Sequence, residues 1–189
     1  MKRKYSNIFL KGKKIYLRML KLQDVNRKYL SWMNSRENNH IPAATSRNTI
    51  SSIKKYVIRN LKNPNVLFFA IIENNNNSHI GNIKLGPINW LDKNTEFGRL
   101  IGEKKFKRKG YGTEAVELVL KFSFNILKLH KVFATCLKNN FGAIKSNKKN
   151  GMKIEACIKE KQFIKNKYRD IFYLGILKKD WIKKNKKKV

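Results

Sequence analysis

The stretch from Thr95 to Leu127 constrains the fold most. A strand-like segment, Thr95–Gly102, passes through a turn dense in lysine and glycine, Lys104–Gly112, into the longest helical pattern of the chain, Thr113–Leu127. Val116, Leu120, Ile126 and Leu127 supply that helix with its apolar positions. The rest of the chain continues the alternation. Ile15–Leu20 reads as a strand. Asp24 suits the N-cap of a helix over Val25–Met33, with Val25, Tyr29, Leu30 and Met33 on one side. Asn34–Ser46 is polar, contains Pro42 and reads as a loop. A second helix over Thr49–Leu61 carries Ile50, Ile53, Val57 and Leu61 at helical spacing and stops at Asn63-Pro64-Asn65.

Val66–Ile72 is a continuous apolar run, long enough for a buried strand and too short for most helices. The Asn-rich turn Glu73–Ser78 joins it to His79–Leu85 in a hairpin, and Asn74–Asn77 read as an exposed turn. Downstream, Lys131–Leu137 is strand-like, and Phe141–Lys149 is a short helix stopped by Asn150-Gly151. Lys153–Phe163 and Arg169–Leu177 form a closing hairpin around Ile164–Lys167. The order is strand, two helices, three strands, helix, strand, helix, two strands, which specifies a mixed α/β sheet. No repeat or linker divides residues 1–189, so one domain is expected, with a Lys-rich tail after about residue 180 that is frayed or weakly helical.

Composition narrows the function. Hydrophobic residues make up 41% of the 189, enough apolar material for a core, so the high charge does not signal disorder. The net charge is +32. Such a field recruits polyanions, or else reflects solvated faces in a chain whose composition favours Lys and Asn together. In both cases it gathers anionic small molecules. The basic residues are spread along the chain, which speaks against nucleic acid as the partner. Cys136 and Cys157 lack metal spacing and read as buried thiols, and His40, His79 and His130 are too dispersed for a ligand cluster, so no metal is expected. The basic N-terminus has no apolar stretch behind it, and no run reaches the roughly 20 residues of a membrane span, so a cytoplasmic location is expected.

The turn before the long helix suits a diphosphate. The first amides of a helix have no intrahelical partner and carry partial positive charge. Gly110 and Gly112 let backbone approach phosphate oxygens without a Cβ in the way, and Lys107, Arg108 and Lys109 add charge. A basic turn before a helix is also often only solvated. Gly-Lys-Ser/Thr of a Walker loop is missing, and so is the third glycine of a dinucleotide fingerprint.

The segment resembles the acetyl-CoA loop of GNAT N-acetyltransferases, Arg/Gln-x-x-Gly-x-Gly/Ala, with Lys107 at the Arg/Gln position. Further resemblances follow in chain order: Glu96–Gly102 is similar to the family's fourth strand, and Tyr111-Gly112-Thr113-Glu114-Ala115 to the helix start of its ribosomal-protein and amino-sugar branches. His130-Lys131-Val132 resembles the start of the fifth strand. Asn140, Ala143-Ile144-Lys145 and Lys149-Asn150-Gly151-Met152 resemble the fourth helix and its end, and Tyr168-Arg169-Asp170 a late turn.

The resemblance implies a GNAT fold, with a mixed sheet of about seven strands splayed between the fourth and fifth and about four flanking helices. It implies acetyl-CoA as co-substrate in the splay. Backbone of Leu100, Ile101 and Gly102 would meet the pantetheine arm, one N–H there polarising the acetyl carbonyl. The amides of Arg108, Lys109, Gly110, Tyr111, Gly112 and Thr113 would hold the pyrophosphate. Asn140 would reach the arm, or serve as an N-cap. Glu96 is the candidate base, or a strand carboxylate paired with a lysine. Many members place a Tyr acid where this chain has Asn147, so that role is vacant or falls to Tyr168 or water.

Lys28–Asn34 resembles a Tyr-Leu-x-Trp-x-Asn stretch of enzymes that acetylate nucleotide-linked amino-deoxysugars. That makes Trp32 and Asn34 candidate acceptor contacts, beside the loop Ser35–Ser46, although a Trp there also suits the core. The implied acceptor is a small-molecule amine, a nucleotide sugar first. A ribosomal protein N-terminus comes second, and a non-catalytic nucleic-acid- or ribosome-binding protein on the same fold is the third reading. A monomer or homodimer fits the sequence equally.

Overall fold

The computed structural model describes residues 8–35, 38, 47–164 and 166–186. An eight-stranded sheet organises them, in the order β1-β2-β3-β4-β5-β6-β8-β7. Its strands are β1 (Phe9–Lys11), β2 (Ile15–Met19), β3 (Leu67–Glu73), β4 (His79–Asn89), β5 (Asn94–Ile101), β6 (Lys131–Leu137), β7 (Lys153–Ile164) and β8 (Lys167–Leu177). The helices are α1 (Arg27–Met33), α2 (Ile50–Lys62), α3 (Tyr111–Asn125), α4 (Phe141–Lys149) and α5 (Lys178–Lys186). All pairings are antiparallel except β5 with β6, which α3 connects as a parallel pair.

The apolar run read as a buried strand is β3, and each of its residues is buried. Alternate side chains serve two cores. Phe69 and Ile71 join Ile83, Leu85, Phe97 and α3 residues Val116, Val119 and Leu120 on one face. Phe68, Ala70 and Ile72 join α1 and α2 residues Tyr29, Trp32, Ile53 and Val57 on the other. The fit of α2 to its pattern has a local cause: Thr49 and Ser52 exchange side-chain bonds with each other's backbone N–H as a capping box, a device that contributes about 1 kcal/mol.

Several sequence expectations are corrected. Asp24 does not cap a helix; Asn26 caps α1 through the Tyr29 amide, and Asp24 is buried in a 3-10 turn, held by both guanidinium nitrogens of Arg18 at 2.7 and 2.8 Å. Strand β1 had no expectation attached to it. The helix α3 starts two residues early, directly after Gly110, and ends before Ile126, which is exposed. The tail is helical through Lys186 and docked, with Trp181 against Phe124 and Lys184 Nζ donating to the Lys149 carbonyl. Cys136 is half-buried and Cys157 exposed.

Candidate active site

The splay lies between β5 and β6, the fifth and sixth strands because β1 precedes the first one expected. They pair only over Asn94–Glu96 with Lys131–Phe133. Beyond Glu96 the strands part, and a cavity of about 600 Å³ opens between them, bordered by α2 on one face of the sheet and α4 on the other. Gly98 faces open space, with no heavy atom within 4 Å of where a Cβ would stand.

The ladder decides which backbone groups face this gap. The Gly102 amide donates to the Ile80 carbonyl at 2.9 Å, and hydrogen-bonded residues alternate along an antiparallel pair. Leu100 and Gly102 therefore turn their polar backbone to β4, and Arg99 and Ile101 turn theirs to the gap. Of the three backbone contacts expected, Ile101 keeps the required direction, and Arg99 takes the place of the other two. Gly102 is needed for packing: a Cβ on it would stand 2.0 Å from the Trp32 ring.

At one end of the gap stands the first turn of α3. Its N-cap is Gly110, at φ 90°, and no side chain caps the helix. The amides of Tyr111, Gly112 and Thr113 are the orphan donors of that turn. A neighbouring turn fixes them in place: Lys14 Nζ donates to the Lys109 carbonyl at 3.1 Å, and the Glu114 carboxylate accepts from the backbone amides of Lys13 and Lys14. Lys107 donates to Asn38 at 3.2 Å, and Arg108 and Lys109 are exposed. An uncapped helix start with a left-handed glycine and three basic neighbours fits a diphosphate. The Thr113 side chain donates to Ser146 on α4 at 3.1 Å.

The α4 wall presents Asn140, Ala143 and Asn147 to the cavity. Asn140 does cap α4, accepting from the Ala143 amide at 3.1 Å, and it also lines the cavity. Asn147 is buried, with Oδ1 unpartnered among the described residues. A buried carbonyl oxygen with no donor suits an amide N–H of a pantetheine arm.

On the other face, Glu96 lines the cavity and accepts from the Thr135 hydroxyl at 2.7 Å. This is not the lysine pair considered as its alternative. Tyr56 and Arg59 of α2 and Lys84 of β4 line the same cavity. Lys84 Nζ donates to the Tyr56 hydroxyl at 3.2 Å and to Asn60 at 3.3 Å. The Tyr56 ring carries two cations, Lys84 at 5.5 Å and Arg59 at 5.9 Å from its centroid.

Three expected contacts stand outside this constellation. Trp32 is only 3% exposed and belongs to the core, against Tyr29, His79 and Gly102. Asn34 ties the chain together, exchanging two hydrogen bonds with Asn48 backbone at 2.8 and 3.0 Å. Tyr168 is 63% exposed on the β7–β8 hairpin, packed on Phe163, and does not line the cavity. The loop Ser35–Ser46 falls largely outside the described residues. Sequence reasoning missed Tyr56, Arg59, Lys84 and Arg99. The signal for two of them is visible in retrospect: Lys84 is the one Lys or Arg of β4, and Arg99 the one Lys or Arg of β5.

A sheet parted between a parallel strand pair, with an anion-ready helix start at one end of the gap and a carboxylate at the other, defines a coenzyme A-dependent acyltransferase. The chain belongs to the acetyltransferase (GNAT) domain family, which matches residues 14–153. It is 26% identical to the uncharacterized N-acetyltransferase YnaD of Bacillus subtilis (strain 168), over 89% of this chain and 96% of that one. To the spermidine N(1)-acetyltransferase of Vibrio cholerae it is 26% identical over 61% of this chain and 66% of that one. In three dimensions it matches a GNAT-family acetyltransferase from Bacillus anthracis with a TM-score of 0.79 and 25% identity, over 91% of this chain and 99% of that one. The spermidine N-acetyltransferase from Vibrio cholerae solved with CoA and spermine matches with a TM-score of 0.81 and 21% identity, over 90% and 99%.

The protein is thus an N-acetyltransferase of GNAT fold, with acetyl-CoA as donor. Relatives named for spermidine belong to a substrate class absent from the sequence reading. Among the described residues no group of three His, Cys, Asp or Glu could hold a metal ion, and no helix is long and apolar enough to cross a membrane.

Proposed function

We propose that the acceptor is a primary amine on an anionic carrier, with an amino-deoxysugar linked to a nucleotide diphosphate as the member of that class favoured by the Lys28–Asn34 resemblance. The observation that carries this is the charge of the acceptor face. Lys84 and Arg59 flank Tyr56 there, and Glu96 is the only carboxylate lining the cavity among the described residues. A polyamine brings several positive charges to such a wall. At an effective dielectric of about 20, each like-charge pair near 6 Å costs roughly 3 kcal/mol. The names of the spermidine relatives favour a polyamine as the second reading, and the two cations oppose it.

In the proposed reaction Glu96 accepts a proton from the attacking amine, directly or through a water. Thr135 holds one oxygen of Glu96 and leaves the other for the acceptor. A backbone N–H of Arg99 or Ile101 polarises the acyl carbonyl. The amides of Arg108 to Thr113 hold the diphosphate, with Lys107, Arg108 and Lys109 around it. Lys84 and Arg59 orient the anionic carrier, and the Tyr56 ring gives a flat surface to a sugar or base.

Charge reversal tests this directly. For Lys84→Glu, kcat/KM with a nucleotide diphosphate amino sugar is expected to fall at least about tenfold while that with spermidine rises, because one pairwise term changes sign. Equal effects on both acceptors would remove Lys84 from acceptor recognition.

A further inference from the structure

Arg99 projects from β5 toward α3 and α4, on the opposite face from Glu96. Its Nη1 donates to the Gly112 carbonyl at 2.9 Å and to the Ser146 hydroxyl at 3.1 Å. Protein encloses the guanidinium, yet the side chain keeps some accessible surface because the cavity reaches it. Among the described residues no carboxylate pairs with it. Enclosure without a counter-charge holds its pKa down to about 10, and it stays a cation. Such a charge is costly unless something anionic completes it.

The surrounding groups do not supply that anion. Thr113 and Ser146 are neutral hydroxyls. Cys136, across the gap on β6, has its thiol pushed up by burial and remains neutral. Glu96 is turned to the other sheet face and bound to Thr135. Glu114 is held by the Lys13 and Lys14 amides. Among the described residues, α4 presents Asn140, Ala143 and Asn147 to the cavity, none of which can give up a proton as an acid.

We propose that Arg99 stabilises the thiolate of coenzyme A as it leaves, doing by charge what an acid at the Asn147 position would do by proton transfer. The amine nitrogen bonds to the acyl carbon and the carbon–sulfur bond breaks. Its electron pair stays on sulfur, and the amine proton passes to Glu96 or water. The thiolate is paired with the guanidinium and takes a proton from water after release. Gly112 and Ser146 position Arg99, and its remaining N–H groups serve the gap.

The inference rests on the coenzyme A assignment, and the test separates the two. The thiol of bound coenzyme A is titrated by thiolate absorbance, and calorimetry compares coenzyme A with desulfo-coenzyme A. In the wild type the bound thiol is expected to titrate at least about one unit below the free thiol, as for a group beside a fixed cation. Arg99→Gln should return it to the free value while affinity for desulfo-coenzyme A changes less than about threefold. Arg99→Lys, which keeps the charge and guards against a folding defect in the other variant, should retain at least half the shift. An unshifted thiol in the wild type, equal losses for both ligands in Arg99→Gln, or no retained shift in Arg99→Lys overturns the role of Arg99. If the wild type binds neither ligand, the coenzyme A assignment itself fails and this role fails with it.

Discussion

Replacing Gly110 with Ala isolates one physical quantity at the loop proposed to hold the cofactor. Gly110 sits at φ 90°, ψ −12°, in the left-handed region, at the N-cap of α3. The nearest heavy atom to an added methyl is Lys14 Nζ at 3.9 Å, so no clash contributes. What remains is the backbone penalty of an L-residue in that region, about 1–2 kcal/mol. That amount must appear in one of two places. If the fold holds the turn in this conformation without ligand, unfolding free energy drops by it. If the free turn relaxes, acetyl-CoA binding must restore it, and the dissociation constant rises roughly 5- to 30-fold at 1.4 kcal/mol per decade.

Urea unfolding and calorimetric titration with acetyl-CoA, on the same preparations, give the two parts, whose sum is expected at about 1–2 kcal/mol. Gly110→Asn should recover roughly half, because Asn tolerates the region better. Gly142→Ala is the control: Gly142 lies in α4 at no unusual φ, and an added Cβ would meet nothing nearer than Asn140 Oδ1 at 3.9 Å, so the change should stabilise by about 0.5 kcal/mol and leave binding alone. Unchanged stability and unchanged affinity in Gly110→Ala would refute the conformational reasoning and the loop assignment together.

Two other outcomes follow from the geometry. Burial would push the Asp24 carboxyl up, but the Arg18 hydrogen bonds and the Lys21 amide outweigh it, and its pKa lies below the ordinary carboxylate value. A depressed folded pKa means stability that is present above the unfolded value, about 3.9, and lost as pH falls through the folded one. Asp24→Asn should therefore cost about 1–3 kcal/mol at neutral pH, a difference that shrinks below about pH 4 in chemical unfolding curves; a pH-independent difference would contradict the pairing. Glu96→Gln should lower kcat about 100-fold or more, and an unaltered kcat would remove Glu96 as base.

How legible each feature was depends on whether its cause is local. The strand Lys131–Leu137 and the helix Phe141–Lys149 appear with the boundaries read from sequence, because pattern, cap and stop all lie inside the segment. The loop proposed to hold the diphosphate stands out in the sequence for the same reason: glycines, basic residues and helix start are contiguous. Asp24 was misread because its partner is Arg18, on a different element, and the cap it resembled is provided two residues later by Asn26. The strand β1 is three residues long, too short for alternation to register. Trp32 belongs to the core because Gly102 leaves room for its ring, a fact that needs two distant segments in contact. The acceptor face is the least legible part, since Tyr56, Arg59, Lys84 and Glu96 come from three elements that only the sheet order brings together.

The most direct test of the central claim is an acceptor competition. Release of coenzyme A thiol is followed with acetyl-CoA as donor and equal concentrations of a nucleotide diphosphate amino sugar or spermidine. Acetyl transfer to the nucleotide sugar is expected with kcat/KM at least about tenfold higher than to spermidine, given Lys84, Arg59 and the single carboxylate of Glu96 at the proposed acceptor face. Transfer to spermidine with the higher kcat/KM would contradict it.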